Sequence, residues 1–202
     1  MPLVILLYAL FASLFSLAKA TLDYSEPFFL IGSRMFFAGC LMFVFQLIRS
    51  PKSLKIGKDK IHLILLLGFL NIYLTNIAEI HGLKQMISAK ACLIYSLSPF
   101  LSALLSFALF SETLTKRQWT GLGIGFIGIT PCFAGCLIHN QGSFINSAEL
   151  VLLVAVISSV CGWIILKKLV WEGKEEERCS PITANAYSMI IGGALALLHS
   201  YS

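Results

Sequence analysis

Charge is scarce in this sequence. Of its 202 residues 12% are Asp, Glu, Lys or Arg, and 57% are hydrophobic, whereas a soluble domain is about a quarter charged. So few charges cannot cover a water-exposed surface of this size, which argues against a soluble fold. Long connectors are missing as well. The longest run over about 49–60 and 167–181, too short to hold a separate soluble domain. No G-x-x-x-x-G-K-[ST] stretch occurs, which argues against an ATP-driven pump in this chain. The six cysteines, Cys40, Cys92, Cys132, Cys136, Cys161 and Cys179, show neither C-x-x-C nor Cys/His ligand spacing. They read as small buried hydrophobes, and no metal, disulfide or cofactor is expected. The N-terminus lacks the charged n-region of a signal peptide, although "SLAKA" (16–20) ends in an A-x-A pattern. A retained first helix is therefore expected.

What is present is apolar length. Crossing about 30 Å of hydrocarbon at 1.5 Å per residue takes about 20 residues. Seven runs qualify, near 3–20, 27–48, 61–81, 87–110, 118–138, 148–166 and 182–200. The expected fold is an all-α polytopic membrane protein with about seven transmembrane helices. Eleven of the fifteen Lys and Arg residues fall on even-numbered connectors: Arg49, Lys52, Lys55, Lys58 and Lys60, then Lys116 and Arg117, then Lys167, Lys168, Lys174 and Arg178. Connectors one and five, "TLDYSEP" and "NQGSFINSA", carry none. The positive-inside rule then makes the N-terminus cytoplasmic, in an inner or plasma cell membrane. The basic second connector also suits anionic lipid.

The chain resembles itself. In "LLYALFASLFS" (6–16) and "LLVAVISSVCG" (152–162), Leu6, Leu7, Ala9 and Ser13 fall on Leu152, Leu153, Ala155 and Ser159. Met35 and Gly39 follow Pro27 at the intervals at which Met189 and Gly193 follow Pro181. Spans six and seven thus repeat spans one and two. Five spans is an odd number, so the copies are inverted, an arrangement typical of secondary transporters with a site between the repeats. The expected organisation is one complete five-helix repeat over 1–138 and two helices of a second over 148–202. With the Pro27–Pro181 offset, Ser202 falls on Ile48, and the second copy reads as shortened.

Span four, "SLSPFLSALLSFALF", carries Pro99 near its start. Proline removes a backbone hydrogen bond and leaves the carbonyl four residues back, that of Tyr95, in need of a partner. Tyr95, Ser98, Pro99, Ser102 and Ser106 recur at three- and four-residue spacing as one small, polar stripe. Such a stripe packs helices closely or lines a cavity, and it can do both. Glu112 marks the edge of the span and is expected to pair with Lys116 or Arg117. "TKRQ" (115–118) reads as a capping box in which Gln118 reaches back to Thr115. Gly121 and Gly125 make a G-x-x-x-G packing face. The literal G-x-G-x-x-G at 123–128 lacks the strand and helix a dinucleotide fingerprint needs.

On these residues the segment "YSLSPFLSALLSFALFSETLTKRQWTGLGIGFIGI" (95–129), with Arg34 and "AKACLIYSLSP" (89–99), resembles the EamA-type transporters of the drug/metabolite superfamily. The resemblance implies two inverted five-helix repeats and transport of small organic metabolites such as amino acids, nucleotide-related compounds or S-adenosylmethionine-like solutes. It also makes spans eight to ten the missing part.

Charges inside spans are costly and default to functional hypotheses. Arg34 lies about 10 Å deep, from 1.5 Å per residue; it either pairs with Glu79 or attracts an anionic substrate group. Lys19 and Lys90 sit near span ends and are expected to snorkel, and His62 and His81 read as interfacial. Tyr73, Asn76 and Glu79 recur every three residues on span three. Asn76 is expected to contact a neighbouring helix or a substrate, and Glu79 is a candidate for a coupling proton. The candidate substrate-binding set is Arg34, Tyr73, Asn76, Glu79, Tyr95, Ser98 and Ser102. No paired nucleophile and base or metal triad is found in the spans, so no enzyme is expected. The reading is a secondary transporter of a small metabolite. The alternative is a non-transporting half-transporter or subunit that self-associates or needs a complementary chain. Expected partners are the metabolite and the lipid bilayer, not nucleic acid.

Overall fold

The computed structural model describes residues 26–54, 56–110, 114–139, 147–171 and 179–201, with positions 3, 5, 6, 9, 13, 17 and 20; side chains at 52, 58, 89 and 129–139 are left aside. Among these residues all regular structure is helical. In chain order the helices are α1 (Pro27–Arg49), α2 (Ile61–Gln85), α3 (Ser88–Tyr95), α4 (Ser98–Phe110), α5 (Lys116–His139), α6 (Ser147–Trp171) and α7 (Pro181–Ser200). Among the described residues five segments are long and apolar enough to cross a membrane: α1, α2, the α3–α4 stretch Lys90–Phe110, α6 and α7. These match the expected second, third, fourth, sixth and seventh spans. The expected fifth is helical as α5, without being one of those five, and the first lies mostly outside the described residues. The chain is an all-α polytopic membrane protein.

Local chemistry explains the boundaries. Pro27 and Pro181 occupy the first turn of α1 and α7, where a missing N–H costs nothing. Span four is not one helix: α3 stops at Tyr95, a turn covers Ser96 and Leu97, and α4 restarts at Ser98 with Pro99 in its first turn. Proline therefore opens a new helix here instead of kinking a continuous one. At α5, the Thr115 N–H donates to Gln118 Oε1 at 2.8 Å, and the Thr115 hydroxyl reaches the same oxygen at 2.9 Å. Gln118 thus reaches back as the capping motif requires, while Thr115 bonds that side chain in place of the helix backbone. Glu112 lies outside the described residues.

Two compact units share these helices: Met1–Tyr24 with Ala78–Ile157, and Ser25–Ile77 with Ser158–Ser202. We call them the α3/α5 unit and the α1/α7 unit. The boundaries fall inside α2 and α6.

In the α1/α7 unit, glycines let backbones touch. A Cβ at Gly39 would meet the Ile190 nitrogen at 2.8 Å and the Ala186 oxygen at 3.1 Å. A Cβ at Gly193 would meet the Phe36 nitrogen at 2.6 Å and the Gly32 oxygen at 3.1 Å. These contacts are reciprocal under the Pro27–Pro181 register, which pairs Phe36 with Ile190, Gly39 with Gly193 and Gly32 with Ala186. Such reciprocity is what two equivalent helices packed about a local two-fold produce.

At the other end of this unit, Ile64 and Leu67 bury against Leu169, Cys179 and Ala184. The Thr183 hydroxyl donates to the Ser53 carbonyl at 3.1 Å, tying the basic connector to α7.

The centre of α2 departs from a regular helix. Residues Gly68–Leu74 form a π-helical segment, a wider turn that is rare and frequent at functional sites. Three donors converge on the Leu70 carbonyl: the Thr75 N–H, the Thr75 hydroxyl at 2.8 Å and the Ser158 hydroxyl of α6 at 3.0 Å. Close approach seals the segment on two further sides. A Cβ at Gly162 would lie 2.8 Å from Asn71 Cγ, and one at Gly192 would lie 2.7 Å from the Gly68 oxygen.

Candidate functional site

Three of the candidate residues, Arg34, Tyr73 and Asn76, belong to the α1/α7 unit. Arg34 is exposed on α1. The Tyr73 hydroxyl and His199 Nδ1 share a 2.7 Å hydrogen bond between α2 and the end of α7. Phe28 lies over the His199 ring at 4.5 Å and Phe69 stacks on Tyr73 at 5.6 Å. Nothing in the spacing of the sequence marks His199; only the fold of α7 against α1 and α2 brings it to Tyr73. Asn76 Nδ2 donates to the Ile72 carbonyl at 2.6 Å, within its own helix. Neither a neighbouring helix nor a solute is needed to satisfy that donor.

The other four, Glu79, Tyr95, Ser98 and Ser102, belong to the α3/α5 unit. Tyr95, 8% exposed, donates its hydroxyl to Glu79 Oε2 at 3.0 Å, linking α2 to α3. Two residues selected on separate grounds therefore meet. Ser98 is buried and Ser102 half-buried, whereas Pro99 between them is exposed, so the small polar stripe faces inward only in part.

Lys90 differs from expectation. It is ion-paired with Glu149 at the start of α6, and the two side chains are 18% and 15% exposed. Lys90 does not snorkel because a carboxylate is close enough to satisfy it within the fold. Glu149 was invisible to sequence reasoning: it sits at the edge of its span, where charge is ordinary. The start of α6 also meets α2 closely, since a Cβ at Gly82 would lie 3.2 Å from the Ala148 oxygen. Lys19 falls outside the described residues, and His62 and His81 are exposed.

Further along this unit, Phe100, Leu104, Trp119, Leu122, Phe126 and Ile127 line a groove of about 450 Å³. Its wall is almost wholly apolar and offers a charged solute no partner. A Cβ at Gly125 would lie 3.1 Å from the Phe100 ring, whereas a Cβ at Gly121 would meet nothing within 4 Å, so among the described residues the G-x-x-x-G face packs no helix at that glycine.

These features define a membrane protein with polar groups held between packed helices. The chain belongs to the EamA-like transporter family, whose model matches residues 1–132. It is 35% identical over 194 residues to the S-adenosylmethionine/S-adenosylhomocysteine transporter of Chlamydia trachomatis serovar L2, covering 95% of this chain and 58% of that protein. The transporter of the same description from Chlamydia muridarum is also 35% identical over 95% of this chain and 60% of its own length. The uncharacterised transporter YyaM of Bacillus subtilis is 25% identical over 92% of this chain and 59% of its own. The chain thus spans about three-fifths of these curated relatives. No solved structure matches at a comparable level of significance.

Proposed function

We propose that this chain moves S-adenosylmethionine or S-adenosylhomocysteine across a cell membrane without ATP, from a cytoplasmic N-terminus. The observation that carries the proposal is the identity to two transporters of those solutes along nearly the whole chain. Reciprocal glycine packing between α1 and α7 supports an inverted pair of repeats, and such pairs give alternating access by moving one repeat against the other. Arg34, Tyr73, Asn76, Glu79, Tyr95, Ser98 and Ser102 are the proposed solute contacts.

The test is uptake of labelled S-adenosylmethionine into liposomes reconstituted with the chain and preloaded with unlabelled S-adenosylhomocysteine. Exchange well above that of protein-free liposomes supports the reading, and flux at that background level removes it. Arg34→Ala is expected to abolish exchange while the protein still inserts. Undiminished exchange would take Arg34 out of the site.

A further inference from the structure

The ion pair between Lys90 and Glu149 invites a question that its role as a tie between α3 and α6 leaves open. A pair withdrawn from water rarely stabilises more than apolar residues of the same volume would. Nor is the pair needed to hold α6 in place. Gly82 already brings α2 into backbone contact with Ala148, the residue before Glu149. The same helix α3 carries a second polar link, Tyr95 to Glu79, about 7.5 Å further along at 1.5 Å per residue. Glu79 lies one turn before Gly82 on α2. Two polar links thus tie α3 to two other helices of a single unit, Lys90 to α6 and Tyr95 to α2.

We propose that the Lys90–Glu149 pair is the subsite for the zwitterionic amino-acid end of the solute, its α-ammonium and α-carboxylate. In the empty state Lys90 and Glu149 neutralise each other. When the solute arrives the pair opens: Lys90 takes the carboxylate, and Glu149 takes the ammonium. One ion pair is exchanged for two, so the amino-acid end itself adds no net charge to the subsite. The subsite rests on the transport reading above and deepens it, since both proposed solutes end in this group.

The probes are S-adenosylhomocysteine and 5′-methylthioadenosine, which share the thioether nucleoside but differ in the amino-acid end. Their binding to the detergent-purified chain is measured by calorimetry for three proteins: wild type, Lys90→Met/Glu149→Gln, and the charge swap Lys90→Glu/Glu149→Lys. Wild type is expected to bind S-adenosylhomocysteine on the order of 10- to 100-fold more tightly, the range of one or two charge-assisted hydrogen bonds. Both double variants are expected to stay monodisperse, keep 5′-methylthioadenosine binding and lose that preference. A charge swap that binds S-adenosylhomocysteine as wild type does would reduce the pair to a structural tie and overturn the subsite. Aggregation of both double variants would overturn it in the same way. Equal binding of the two probes by wild type overturns it as well, with the transport reading intact. Wild type that neither binds nor moves either solute overturns both.

Discussion

The two units are held together by different chemistry. The α1/α7 unit relies on small residues: Gly39, Gly193, Gly162 and Gly192 sit where any side chain would strike a neighbouring helix. Most of its polar side chains serve the backbone, as when Thr75 and Ser158 both bind the Leu70 carbonyl, although Tyr73 and His199 bind each other across helices. In the α3/α5 unit, side chains bind each other across helices, Tyr95 to Glu79 and Lys90 to Glu149. In lipid, where apolar burial between helices drives little, small residues give close packing and polar groups give directional links. Close packing tolerates no change of volume. Polar links tolerate exchange of partner, which is what a solute site requires. The difference teaches where to look for stability and where to look for binding.

The largest expected effect breaks the polar unit. Lys90→Met alone strands Glu149 and is expected to cost about 3 kcal/mol of stability, while adding Glu149→Gln recovers most of it. Unfolding of the two variants in mixed micelles checks this. If the single variant is as stable as wild type, the pair is solvated and the contrast between the units weakens.

Next comes the small-residue unit. Gly192→Val places methyl groups into Ile72 and the Gly68 carbonyl, and about 2 kcal/mol of destabilisation is expected. Gly121→Val is the control, with an effect within about 0.5 kcal/mol in the same assay. Equal losses at both glycines would erase the distinction between packed and open positions.

A smaller effect sharpens the contrast at the π-helical turn. Ser158→Ala removes one of three donors to the Leu70 carbonyl and is expected to cost about 1 kcal/mol. Thr75 still satisfies the oxygen, so no buried acceptor is left bare. Amide exchange at residues 70–75, compared between wild type and variant, reports whether the wide turn loosens.

The smallest effect concerns Cys179, outside the spans. Burial lifts its thiol above the ordinary value, against the opposing pull of Lys60 and of a hydrogen bond from the Ala184 backbone. The folded state thus keeps a proton that the unfolded chain gives up. The associated stability is complete below the unfolded thiol value and is lost as pH rises through the folded one. Maleimide labelling of Cys179 is expected to be slower at pH 7 than that of an exposed thiol, and to quicken as pH rises. Labelling at the exposed rate would mean that the Leu169–Cys179–Ala184 cluster opens readily.

The hydrophobic runs, the back-reaching Gln118 and the paired prolines at 27 and 181 were legible along the chain because each is decided within one or two helical turns. Tyr95 and Glu79 were both legible as candidates, from the small polar stripe and from charge inside a span. Their contact was not, because they are 16 residues apart on helices that meet only after folding. His199 was missed for the same reason, lying 126 residues from Tyr73.

By itself the sequence determined that the chain crosses a membrane as helices, since hydrocarbon length and the cost of burying charge act on each run independently. The Pro27–Pro181 register read along it is also the one under which the contacts of Gly39 and Gly193 are reciprocal. The tertiary structure decided three things: that α2 widens at Gly68–Leu74, that Lys90 finds Glu149 and that Tyr73 finds His199. Each depends on a group from a distant helix: a hydroxyl for the Leu70 carbonyl, a carboxylate for an ammonium, an imidazole for a phenol. Local sequence carries no term for a partner that only packing supplies.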